Sequence, residues 1–191
     1  MAAPAEEIVV PEHVVVMFED SIAPLPAQAL VKVLSEVSNQ GVAEVTLCLM
    51  TGGGAIVTGI YLYHVLRGMP FDLTVHAVGD IASAGNIVFV SGEERVAAPH
   101  STFSFHEPTI TLQEGEELNV KSLRELAAQL DSNGDRNRRI LEERTGLTRN
   151  DINALKRRTR TLDADEAVEA GLADRVAELA IPPGALTLQV T

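Results

Sequence analysis

The chain has 191 residues, with 15 Lys and Arg against 27 Asp and Glu, a formal charge of −12. That balance argues against a nucleic-acid partner, because neutralising phosphates needs clustered basic groups, and 46% hydrophobic with 22% charged residues argues against disorder. The length suits one α/β domain that buries a core without disulfides or a structural metal.

The opening Met1–Glu7 stretch lacks the basic region and apolar core of a signal peptide. No apolar run approaches the ~20 residues needed to span a bilayer. A soluble cytoplasmic protein with no membrane partner is expected. After a short polar leader over about 1–12, His13 to Phe18 reads as a buried strand. Leu30, Val33, Leu34 and Val37 fall on one helical face, and Asn39-Gln40-Gly41 stops that helix. Glu44 to Met50 is apolar nearly throughout, as a strand covered on both faces requires.

Thr51-Gly52-Gly53-Gly54 turns the chain into a helix over Ile56 to about Arg67, which Gly68 and Pro70 end. A third strand is expected over Phe71–Val78, then a short helix from Ser83 to about Val90. Further strands follow near Arg95–Ala98 and Thr102–His106. This alternation implies right-handed βαβ crossovers and a largely parallel sheet.

The C-terminal third is more polar. From about Glu117 to Thr145 a charged stretch with spaced leucines predicts a long helix with a modest apolar stripe, suited to packing on a partner subunit. Thr148 with Asp151, and Asp163 with Glu166, have the spacing of helix-opening capping boxes. Leu172 to Leu179 could add a last strand. The basic run Lys156-Arg157-Arg158-Thr159-Arg160 reads as a solvated face.

Three features have the makings of chemistry. Consecutive glycines at 52–54 let bare backbone approach a ligand and aim N–H groups at a negative oxygen, though a tight turn needs them equally. Ser83 lies among small residues at an expected helix start, where the N–H of Ala84 is free to donate; an N-cap serine fits the same place. His106 ends an alternating strand, opposite the rings of Phe103 and Phe105, and Pro108 stops that strand. A hydroxyl nucleophile needs such a base, although a lone histidine is more often structural. Cys48, inside an apolar run, reads as a buried structural thiol. Five scattered histidines and one cysteine have no ligand spacing, so no metal and no cofactor are expected.

Together these features resemble the proteolytic subunit of the Clp protease, within the ClpP/crotonase superfamily, over roughly Val42 to Leu179. The family's Ser-Pro-Gly-Gly motif aligns with Thr51-Gly52-Gly53-Gly54. Its Gly-x-Ala-Ala-Ser-Met-Gly motif aligns with Gly79-Asp80-Ile81-Ala82-Ser83-Ala84-Gly85. Its His-Gln-Pro motif aligns with His106-Glu107-Pro108, and its closing Ala-x-Glu-Tyr-Gly-Leu run with Ala167-Val168-Glu169-Ala170-Gly171-Leu172. The resemblance implies a single α/β domain of repeated βαβ units, with a protruding strand-plus-long-helix handle over about 109–145.

It also implies Ser83 as nucleophile, His106 as general base, and the N–H groups of Gly54 and Ala84 as oxyanion hole. The triad acid of the family falls at Thr159, whose hydroxyl can accept from an imidazole but carries no charge. Asp163 and Asp80 are the other acids near this pattern. The substrate would be a peptide or unfolded protein, cleaved through an acyl-enzyme inside a homo-oligomer of stacked rings. The family's contact with an ATPase unfoldase ring runs through a longer leader than the dozen residues here. Two other readings stay open. One is a weak or inactive homologue acting as an assembly subunit, which Thr159 favours. The other is a crotonase-type acyl-CoA enzyme, which shares the fold and the paired N–H groups.

Overall fold

The computed structural model describes residues 11–110 and 118–190. Strand β1 (His13–Glu19) leads into α1 (Pro24–Asn39), then β2 (Glu44–Thr51), α2 (Ile56–Arg67) and β3 (Asp72–Ala82). Next come the short α3 (Gly85–Phe89), β4 (Glu94–Ala97) and β5 (Thr102–Ser104). The long α4 (Val120–Arg144) and α5 (Arg149–Arg157) precede β6 (Thr161–Leu162), α6 (Ala164–Glu169), β7 (Arg175–Val176) and β8 (Leu186–Gln189).

The central sheet runs β6-β5-β3-β2-β1-β8, with β4 bridging β3 and β7. Every pairing is parallel except β5 with β6. Helices on the sheet explain the unbroken apolar strands: Val14 to Val16 and Leu47 to Leu49 are buried without alternation. Cys48 is buried as expected, and burial pushes its thiol up to about 11.

Strand β3 departs from the expected span. It continues past Val78 to Ala82 because two different strands take its two halves. Thr74–Ala77 pair with Glu94–Ala97, while Asp80–Ala82 pair with Thr102–Ser104. The residues read as a lead into a helix are thereby held as strand, and α3 starts only at Gly85. Phe89 of α3 packs on Phe103 of β5 with ring centroids 4.9 Å apart, a contact worth about 0.5–1.5 kcal/mol beyond its buried area.

Both capping boxes form: Thr148 and Asp163 accept from the backbone N–H of Asp151 and Glu166, and each acid returns to its cap. Helix α4 covers most of the expected span and is double in character. Asn137, Arg138, Ile140 and Leu141 of its C-terminal half are buried, while Val120 and Leu123 near its start are exposed. The expected final strand shrinks to two residues, and the tail instead adds β8 beside β1. Most of the leader (1–10) and most of the expected handle strand (111–117) lie outside the described residues.

The end of α4 is fastened by two half-buried arginines. Arg144 donates to the carbonyls of Val90 (3.0 Å) and Gly92 (2.8 Å). Arg95 donates to the carbonyl of Gly171 at 3.1 Å and forms a forked pair with Asp174. Burial pushes the Asp174 carboxyl up, but the hydrogen bonds and charge of Arg95 outweigh it and hold the group below its ordinary value. A depressed carboxyl stabilises the fold above its unfolded pKa and loses that effect as pH falls through the folded one. Asp174→Asn is therefore expected to lower the unfolding free energy at pH 7 by about 1 kcal/mol, a figure kept small by solvent at this half-open group. In denaturant titrations the gap to wild type should close as pH falls below 3.8.

Candidate active site

Parallel strands carry their following loops to one edge of a sheet, so the loops after β2, β3 and β5 meet there. They hold Gly52–Gly54, Ser83 and His106. The glycine loop is clamped by the turn after β1: Ile22 N–H donates to the Gly53 carbonyl (2.8 Å), and Ala55 N–H donates to the Ile22 carbonyl (2.9 Å). Gly52 has open space beside it, but Gly53 and Gly54 have no room for a side chain. A Cβ on Gly53 (φ +88) would lie 2.5 Å from the Ala82 carbonyl oxygen and 2.8 Å from Ser83 Cβ, and one on Gly54 would overlap the Ile22 carbonyl. The glycines thus let the loop press directly against the serine turn.

Ser83 has φ +54, a left-handed backbone that a non-glycine residue adopts only when its surroundings impose it. The imposing contacts are visible. Ser83 N–H extends the β3–β5 ladder by donating to the Ser104 carbonyl at 2.9 Å. The buried Asn86 amide then bridges the carbonyls of Ser83 (3.2 Å) and Ser104 (2.9 Å). A sharp turn directly after a strand lifts the hydroxyl above the sheet edge. Because α3 has only five residues, its dipole contributes little here. The relevant donors are single amides: among the described residues the N–H groups of Gly54 and Ala84 make no hydrogen bond.

His106 lies two residues beyond β5. Its Nδ1 is 2.8 Å from the carbonyl oxygen of Glu107. A carbonyl only accepts, so Nδ1 carries a proton, and the neutral ring with that tautomer has its lone pair on Nε2, the form a general base requires. Ser83 and His106 line one small cavity of about 10 Å³ and, beside it, a groove of about 380 Å³. No hydrogen bond joins their side chains.

Thr159 is brought close through the backbone. Phe105 N–H donates to the Arg160 carbonyl (2.8 Å), extending the antiparallel β5–β6 pairing toward the end of α5. Its own backbone is left-handed (φ +47), unusual for a β-branched residue, and the His106 Nδ1 bond goes to Glu107 instead. Asp163 caps α6, and Asp80 in β3 accepts from the Thr102 hydroxyl at 2.7 Å. Neither acid lines the Ser83–His106 cavity.

Asn86, Asn137 and Lys156 were not singled out from sequence, and the Glu107 carbonyl leaves no trace in side-chain identity. Lys156 corrects the reading of its basic run. Arg157, Arg158 and Arg160 are exposed, but Lys156 is buried because it falls one helical turn after the buried Ile152.

A Clp protease family model matches residues 9–180. The chain belongs to that family. It is 26% identical over 176 residues to the ATP-dependent Clp protease proteolytic subunit 2 of Chlamydia trachomatis, covering 86% of this chain and 80% of that one. The subunit 2 of Corynebacterium efficiens is 27% identical over 142 residues, 73% and 69% of the two chains. Among solved structures, the ClpP1 N165D mutant from Listeria monocytogenes superposes with a TM-score of 0.75 at 19% identity, over 86% of this chain and 91% of that one. The Clp protease fold, a mixed α/β domain on a mostly parallel sheet, is therefore this chain's fold.

Two outcomes follow from the strained turn and its flank. Asn86→Ala should cost about 1 kcal/mol in thermal or chemical unfolding, because two part-buried carbonyls each lose a side-chain donor while keeping a backbone one. Thr159→Asn should raise stability by about 1 kcal/mol, since asparagine tolerates a left-handed backbone that threonine resists.

Proposed function

We propose that the chain is a serine peptidase that hydrolyses peptide bonds through an acyl-enzyme. Ser83 Oγ attacks the scissile carbonyl while His106 Nε2 takes its proton. The N–H groups of Gly54 and Ala84 meet the developing oxyanion, each such donor being worth about 3–4 kcal/mol in the barrier. His106 then returns the proton to the leaving amine, and a water repeats the sequence to free the acid. The observation that carries this reading is the His106 Nδ1 bond to the Glu107 carbonyl. It supports the base tautomer that an aspartate secures in other serine enzymes, at a position where Thr159 offers no charge.

What the carbonyl does not supply is a full negative charge to stabilise the imidazolium, so turnover is expected to be slow beside an aspartate-bearing triad. Peptides or unfolded proteins would be the substrates. Assembly into a ring-shaped homo-oligomer belongs to the same proposal, and the exposed Val120 and Leu123 on α4 support it. The relatives' names describe ATP-dependent proteases, and an ATPase partner that delivers unfolded chains is consistent with that company.

A second reading has its own support. Ser83 and His106 are not hydrogen-bonded, and no carboxylate meets His106 among the described residues, as suits an inactive assembly subunit. A fluorophosphonate probe separates the two. Labelling of wild type that disappears in Ser83→Ala, with His106→Ala slowing it about 10²–10⁴-fold, supports the peptidase; folded protein that never labels supports the inactive subunit. Sedimentation should give a species several times the 20.4 kDa chain. A monomer at micromolar concentration would remove the ring.

A further inference from the structure

Two buried polar side chains line the small cavity beside Ser83 and His106, and acylation of the serine has no use for either. Lys156 is 7% exposed and Asn137 is 5% exposed. Among the described residues Asn137 Oδ1 has no hydrogen-bond partner, and no carboxylate forms an ion pair with Lys156. The amide oxygen is an acceptor and calls for a donor. The lysine nitrogen calls for an acceptor. Burial lowers its pKa, and it keeps N–H groups to give in either protonation state. One small molecule answers both, because water donates and accepts at once.

The cavity fits that molecule and nothing larger. Its volume of about 10 Å³ admits a single water, and Ser83, His106, Asn137 and Lys156 supply the polar partners that a buried water needs. The groove open to a peptide is a separate space. It shares Ile56, Ser83, His106 and Pro108 with the cavity, but neither Asn137 nor Lys156 lines it. A peptide laid along the groove leaves the water in place.

We infer that Asn137 and Lys156 hold the water that hydrolyses the acyl-enzyme, keeping it beside Ser83 while the first product forms and leaves. This rests on the peptidase reading. Every direction of the water then has a use. Its oxygen accepts from Lys156 Nζ and one hydrogen goes to Asn137 Oδ1. The other hydrogen goes to His106 Nε2, free again once the leaving amine has taken the first proton. The remaining lone pair faces the acyl carbon. Attack forms the new C–O bond as His106 takes the water's proton. Collapse breaks the bond to Ser83 Oγ, the serine recovers that proton from His106, and the acid departs. Asn137 and Lys156 are positioning residues, which act by fixing the nucleophile before it is needed.

The test sets two nucleophiles in competition for one acyl-enzyme. Turnover of p-nitrophenyl acetate in the presence of hydroxylamine yields acetohydroxamate or acetate, and their ratio is measured after subtracting the Ser83→Ala background. Both products come from the same intermediate, so the ratio is blind to the folded fraction and to the acylation rate. Hydroxylamine is larger than the cavity admits and attacks from the groove. Asn137→Leu should move the ratio about tenfold toward hydroxamate, as the attacking water loses one hydrogen bond. Lys156→Met should move it the same way. An unchanged ratio in either folded variant overturns the water site. Should neither variant fold, a crystal structure of wild type decides: a water bonded to Asn137 Oδ1 supports the site, and its absence where other buried waters are ordered overturns it. Wild type that neither turns over the ester nor labels with the fluorophosphonate sinks the peptidase reading, and this role with it. Turnover with an unshifted ratio sinks the water site alone.

Discussion

The site depends on how β3 is shared. One strand is too long for a single neighbour, so β4 takes its first half and β5 its second. Because β2, β3 and β5 run parallel, their loops leave at the same edge. Because β5 reaches the far half of β3, His106 arrives beside the turn that holds Ser83. A single ladder bond, Ser83 N–H to the Ser104 carbonyl, joins the two strands just before the chain reaches Ser83 on one side and His106 on the other. Removing the β5 pairing would separate the alcohol from the imidazole without touching either.

Around that ladder the backbone does much of the work that side chains do elsewhere. The turn after β1 fixes the glycine loop by two main-chain bonds, and a main-chain carbonyl fixes the histidine. Such arrangements resist substitution, because no residue change deletes a carbonyl. They also orient an imidazole without a carboxylate beside it among the described residues. A carbonyl dipole does so with a weaker field than a full charge at the same distance.

The legible features of the sequence were local ones. The capping boxes at Thr148 and Asp163 need only four residues each, and the apolar face of α1 needs only its own period. The strand β2, apolar throughout, announced a sheet covered on both sides. What escaped depended on residues far away in the chain. Gly79 to Ala82 lack a strand pattern and become strand only because β5 pairs with them. Lys156 looked like one charge among several, and its burial follows from where α5 lands against α4 and the Pro108 turn. Asn86 and Asn137 carry no signal, since asparagine at those positions reads equally as surface. Ser83, His106 and the glycines were visible through their motifs. The carbonyl that orients His106 was invisible because it belongs to no side chain.

Among the described residues two other than glycine have a left-handed backbone, Ser83 after β3 and Thr159 before β6, the two strands that pair with β5. Torsional cost is thus gathered on the two neighbours of β5 and held there by the rest of the fold. Engineering this chain for heat tolerance would meet a conflict at these positions: replacements that relax the backbone are the easiest gains, yet Ser83 cannot be relaxed without losing the hydroxyl that the turn exists to present. Of the two, only the threonine is free to be traded for endurance.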